Sequence, residues 1–158
     1  MLVEEAAKGT FSLLPLIAMA IPAVAAVVIV AIGDRNEKLR NLVSFLAAVA
    51  TFGVVLAIVI KVLGGNPLYF ELRLIEIGHQ ISLKLMVDSM GAFFALIASI
   101  LWVAAMAHSS AYMLHEQKRT RFFATMMITE AATLGIFMVH DFLSLFVFFE
   151  IMGLAAYL

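Results

Sequence analysis

Two acidic residues lie deep inside apolar stretches of this sequence. Glu150 is nine residues into the run Asp141-Phe-Leu-Ser-Leu-Phe-Val-Phe-Phe-Glu150-Ile-Met-Gly, and Glu130 is embedded in the segment before it. A carboxylate at the centre of a bilayer costs about 2.5–3.5 kcal/mol on insertion scales. An acid kept at that cost marks a proton or ion path, or a helix-packing hydrogen bond. The chemistry open to both residues is therefore proton or cation exchange. For Glu130 the packing reading has candidate partners, because Thr129 and Thr133 flank it. The neighbours of Glu150 on its own segment offer none, and its ionised form calls for a cation from another polypeptide or another part of the chain. His108, inside a third apolar segment, is a lesser relay candidate, since imidazole titrates near neutrality; a packing histidine is the plainer reading. No catalytic cluster accompanies these groups, so we expect no enzymatic activity from the chain alone.

The elements that position these residues follow from composition. Apolar residues make up 65% of the 158 and charged residues only 13%, against about 25% charged in soluble domains. Mean hydropathy is +1.10. This is the composition of an integral membrane protein. The net charge of −1 provides no basic surface for nucleic acid. With no cysteine, thiolate metal sites are excluded, and the four histidines are too scattered for a local ligand pair. We expect neither metal nor cofactor. The acidic start, Met1-Leu-Val-Glu-Glu, lacks the basic n-region of a signal peptide.

Five apolar segments read as spans of one membrane domain covering residues 1–158: about 11–32, 41–63, 90–114, 122–140 and 142–158. Pro22 interrupts the first, which packed membrane helices tolerate. Between the second and third, residues 67–87 alternate apolar and charged side chains around Gly78-His79-Gln80. That period of two predicts an amphipathic β-hairpin on the membrane surface. Asp88 and Asp141 read as N-caps. The predicted class is thus all-α, with five transmembrane helices and one external hairpin.

Orientation follows from Lys and Arg. One loop carries Arg35, Lys38 and Arg40, and another Lys118, Arg119 and Arg121. The positive-inside rule places both in the cytoplasm, the N-terminus and hairpin outside and the C-terminus inside. Glu130 and Glu150 each lie ten residues from His140. If the chain turns there, both acids lie roughly 15 Å below the outer surface.

The stretch from Arg121 to Leu158, with its Leu134-Gly-Ile-Phe and Phe148-Phe-Glu150-Ile-Met runs, resembles the antiporter-like subunits. These occur in Mrp-type cation/proton antiporters, respiratory complex I and membrane-bound hydrogenases. The Asp88-Ser-Met-Gly-Ala-Phe-Phe run is similar to their entry to the third helix. The resemblance covers the N-terminal five-helix portion of such subunits. It implies a prokaryotic cell-membrane subunit of a redox-coupled cation/proton-translocating complex. It also implies that Glu150 is the glutamate paired with a seventh-helix lysine. That lysine lies beyond the matching pattern, so the resemblance implies a partner subunit, or the rest of a longer chain, facing Glu150. The alternative is a non-conducting assembly subunit of the same kind of complex. Cysteines placed at Asn36, Gln80 and Gln117 test the topology: residue 80 should label from outside, and residues 36 and 117 only from inside. Equal external labelling at 36 and 80 would overturn the five-span arrangement.

Overall fold

Pro15 starts the first helix, because its missing N–H and fixed φ suit the first turn. The computed structural model describes residues 9–77, 79–113 and 119–157, with side chains in 72–82 excluded. Helix α1 spans Leu14–Ile32 and a 3-10 turn follows at Gly33–Arg35. Helices α2 (Glu37–Leu63), α3 (Ser89–Tyr112), α4 (Arg119–Met138) and α5 (Phe142–Tyr157) complete the helical part. The helices through α4 are long and apolar enough to cross a membrane; α5 has 16 residues, roughly 24 Å.

Three strands close one end. Strands β1 (Thr10–Phe11), β2 (Leu68–Ile77) and β3 (His79–Val87) form a sheet in the order β1-β2-β3. Strand β1 runs parallel to β2, and β3 antiparallel, with Leu68 opposite Val87 and Glu71 opposite Lys84. Leu68, Phe70, Leu85 and Val87 turn into the helical core, whereas Lys84 is exposed. This is the alternation a one-sided sheet requires. The backbone N–H of His140 donates to the Lys84 carbonyl at 3.1 Å, pinning the sheet to the α4–α5 turn. The predicted turn residue Gly78, the N-terminal acids and residues 114–118 of the second basic loop lie outside the described residues.

Several boundaries move relative to the sequence reading. The first helix begins at Leu14, because Thr10 and Phe11 pair with β2. The second begins at Glu37, where Asn36 caps it by accepting from the Leu39 N–H at 3.1 Å. That start draws Arg40 into the helix and buries it, although the sequence reading treated it as a free loop charge. Asp88 and Asp141 cap α3 and α5, accepting from the backbone N–H groups of Gly91 and Ser144.

The core has two apolar layers. Toward the sheet, Ala18 and Met19 of α1 pack with Val55, Val59, Ala95, Leu134 and neighbours. Toward the other end, Ala25 and Ile29 pack with Ala47, Ala48, Met106, Phe123 and Met127. Helix α1 lies against α2 and α4, α2 against α3, and α4 also against α3 and α5. Small residues permit these approaches. At Gly135 a Cβ atom would fall 2.5 Å from the Phe148 ring. We expect Gly135→Ala to weaken α4–α5 packing by about 1–3 kcal/mol, read as denaturant unfolding in detergent. Combined with Phe148→Ala, the loss should be smaller than the sum of the two single variants; additive losses would show that the two residues are not coupled.

Candidate functional site

On α4, the buried stripe runs Phe123, Met127, Glu130, Leu134, Met138. The spacing of three and four residues makes it one helix face, and Glu130 is its only charged member. Its side chain is fully buried at 0% exposure, and neither carboxyl oxygen has a hydrogen-bond partner. The flanking hydroxyls expected to hold it are engaged elsewhere. Thr129 donates to the Thr125 carbonyl at 2.8 Å, and Thr133 to the Thr129 carbonyl at 2.7 Å. Threonines in helices commonly bond back to the preceding turn in this way. The packing-hydrogen-bond reading of Glu130 therefore loses its named partners.

Glu150 is placed oppositely. The inward face of α5 carries Ser144, Leu145, Phe148, Met152 and Ala155; Glu150 stands on the exposed face with Phe146, Phe149 and Leu154. Gly135 lies against Phe148, and Thr133 Oγ1 is 3.9 Å from Met152 Sδ. Extending that antiparallel register sets Glu130 and Glu150 about one helical turn apart in depth, roughly 6 Å. They sit at comparable levels but on different sides of the α4–α5 pair, and the structure does not bring them together. His108 is exposed on α3, its ring 6.5 Å from that of Tyr112. Among the described residues no cluster of three His, Asp or Glu side chains could hold a metal ion.

Two core hydroxyls escaped the sequence reading. Thr51 on α2 and Ser99 on α3 are both 0% exposed. Their signal was present: each falls on the core-facing stripe of its helix, near the middle. Arg40 also escaped. It is 1% exposed, ion-paired with Asp34 at 2.8 Å, hydrogen-bonded to Thr120 Oγ1 at 3.3 Å, and stacked over Phe123 at 5.3 Å. Thr120 Oγ1 in turn donates to Asp34 at 2.6 Å, and Arg119 pairs with Glu37 at 2.6 Å. This node joins the α1–α2 turn to the start of α4. An apolar groove of about 540 Å³ runs between α1, α4 and α5; Ala131 and Ala132 line it, but Glu130 turns away from it.

Comparison with known proteins agrees with this architecture. The family described as NADH-ubiquinone oxidoreductase (complex I), chain 5 N-terminus, matches residues 74–123. Subunit 5 of the chloroplastic NAD(P)H-quinone oxidoreductase of Ranunculus macranthus is 26% identical over 130 residues, 78% of this chain and 17% of that protein. Its counterpart in Piper cenocladum is 22% identical over 151 residues, 92% of this chain and 20% of that protein. A chain of the membrane-bound sulfane sulfur reductase, an archaeal respiratory membrane complex, shares the fold with a TM-score of 0.74 at 18% identity, covering 89% of this chain and 21% of that one. The chain spans about a fifth of the length of the curated relatives it matches. The resemblance to antiporter-like membrane subunits is borne out. The family match ends before Glu130 and Glu150, so their roles rest on geometry.

The geometry predicts different reactivity at the two acids. In the chain alone in detergent, a cysteine replacing Glu150 should react readily with a lipid-soluble maleimide, and one replacing Glu130 should resist until unfolding. Equal rates would contradict the opposed placement.

Proposed function

We propose that this chain is part of a multi-subunit, redox-coupled cation/proton-translocating membrane complex, in which Glu150 contributes one half of an ion path. One observation carries the reading: the carboxylate of Glu150 stands on the exposed face of α5, among Phe146, Phe149 and Leu154. Among the described residues no hydrogen bond or ion pair reaches it. An ionised carboxyl left against lipid costs about 2.5–3.5 kcal/mol at the bilayer centre. Intramembrane charges instead face protein or a water-filled cavity and pair there. The face carrying Glu150 is therefore one that protein covers, and the covering surface supplies a cation. Lysine suits this role, because its ammonium loses and regains a proton when its surroundings change.

The topology accompanying this reading has five spans in a prokaryotic cell membrane, the hairpin and N-terminus outside and the C-terminus inside. Arg35, Lys38 and Arg121, all exposed at the end opposite the sheet, support it. The names of the relatives, a quinone oxidoreductase subunit and a respiratory reductase complex, support the redox-coupled setting.

The deciding experiment is Glu150→Gln in the whole complex. The amide keeps the shape but cannot change charge. We expect gradient formation in vesicles to be lost, with normal subunit content. Wild-type gradients at normal content would leave the non-conducting assembly role in its place.

A further inference from the structure

Between the two apolar layers of the core lies a third, thinner one. On each of the first four helices, buried residues outside both clusters separate their members: Pro22 on α1, Thr51 on α2, Ser99 on α3, and Glu130 with Ala132 on α4. On α2 the order is Ala48, Thr51, Val55; on α4 it is Met127, Glu130, Leu134. The polar side chains of three helices, with Pro22 of the fourth, thus fall between the two apolar layers.

These groups are incompletely bonded. Both Glu130 oxygens and Thr51 Oγ1 lack partners. Ser99 Oγ donates to the Leu96 carbonyl at 2.9 Å, which leaves its acceptor capacity free. Pro22 has no N–H, so the Ala18 carbonyl loses its in-helix donor at the same level. Buried polar groups left without partners are costly, and separations beyond direct hydrogen-bond reach are characteristically bridged by water. Arg40, the buried cation of α2, meets the α4 stripe at its far end. It stacks on Phe123, seven residues or about 10 Å along α4 from Glu130, and is committed to Asp34 and Thr120.

We propose that this layer is a second polar site, independent of the Glu150 face, in which bound water bridges a protonated Glu130 to Thr51 and Ser99. Glu130, Thr51 and Ser99 between them offer the two to four polar partners that a buried water takes. The carboxyl O–H donates to the water; the water donates to Ser99 Oγ and exchanges hydrogen bonds with Thr51 Oγ1. The ligand class is water carrying an exchangeable proton. The site lies inside the first four helices, whereas Glu150 faces outward from the fifth.

Infrared spectroscopy of the full chain in its purified membrane complex tests this. In sodium-free buffer we expect a protonated-carboxyl C=O band that is lost in Glu130→Gln and retained in Glu150→Gln. In D2O the band should shift while the protein stays folded, and the shift should slow in the near-isosteric Thr51→Val. The proposal is overturned if the band is absent from the wild type. It is equally overturned if added sodium abolishes the band, which makes the ligand a cation. A band that fails to shift in D2O makes the site dry, and unaltered exchange in Thr51→Val removes the bridge; either result also overturns it. Glu150→Gln transport data bear on none of these outcomes, so the two readings fail separately.

Discussion

The absence of water in the hydrocarbon core is the constraint from which the rest of this structure follows. Backbone groups there must bond within the helix, and side-chain polar groups must find protein or trapped water. The helices comply by turning their apolar majority outward: Val27, Ile60, Leu101 and Phe142 are among the exposed residues. Thr51, Ser99 and Glu130 turn inward instead. A soluble domain of this size would show the reverse arrangement. Glu150 is the exception, and its exposure carries meaning because the same rule is obeyed by the other acid at comparable depth.

Each end of the bundle is tied by a different chemistry. At one end, main-chain hydrogen bonding does the work: three strands pair, and the His140 N–H reaches the Lys84 carbonyl across to the α4–α5 turn. At the other, a charged node does it, with Arg40 held between Asp34, Thr120 and the Phe123 ring. A guanidinium suits that position because it offers several donors in a plane and an apolar face for stacking. Both ties link segments distant in sequence, and both converge on α4. Glu130 lies between them on the helix most tightly fixed in the bundle, while Glu150 rides on α5, whose described contacts are chiefly with α4.

Much of this was legible in the residues. Segment lengths and hydropathy set the helices, because a bilayer of fixed thickness demands a fixed run of apolar residues. Period-two alternation marked residues 67–87 as extended, and Asp88 and Asp141 announced the helix starts they cap. The two buried-sequence acids stood out because their neighbours are apolar. The residues that pair at long range did not stand out. Phe11 read as the start of a span because only its partner strand, some sixty residues on, makes it part of a strand. Arg40 read as a loop charge because Asp34, Thr120 and Phe123 converge on it only after folding.

The sequence by itself determined that this is a multi-helix membrane protein with two acids at comparable depth, since both facts depend on local composition and on residue counts from a turn. Only the tertiary structure decided which acid is enclosed and which is presented outward. Helix rotation settles that, and rotation is fixed by packing, by Gly135 against Phe148 and by the α1–α4 contact, which spacing along one helix does not encode. It also showed that the threonines beside Glu130 are spent on their own helix, whereas hydroxyls from two other helices share its layer.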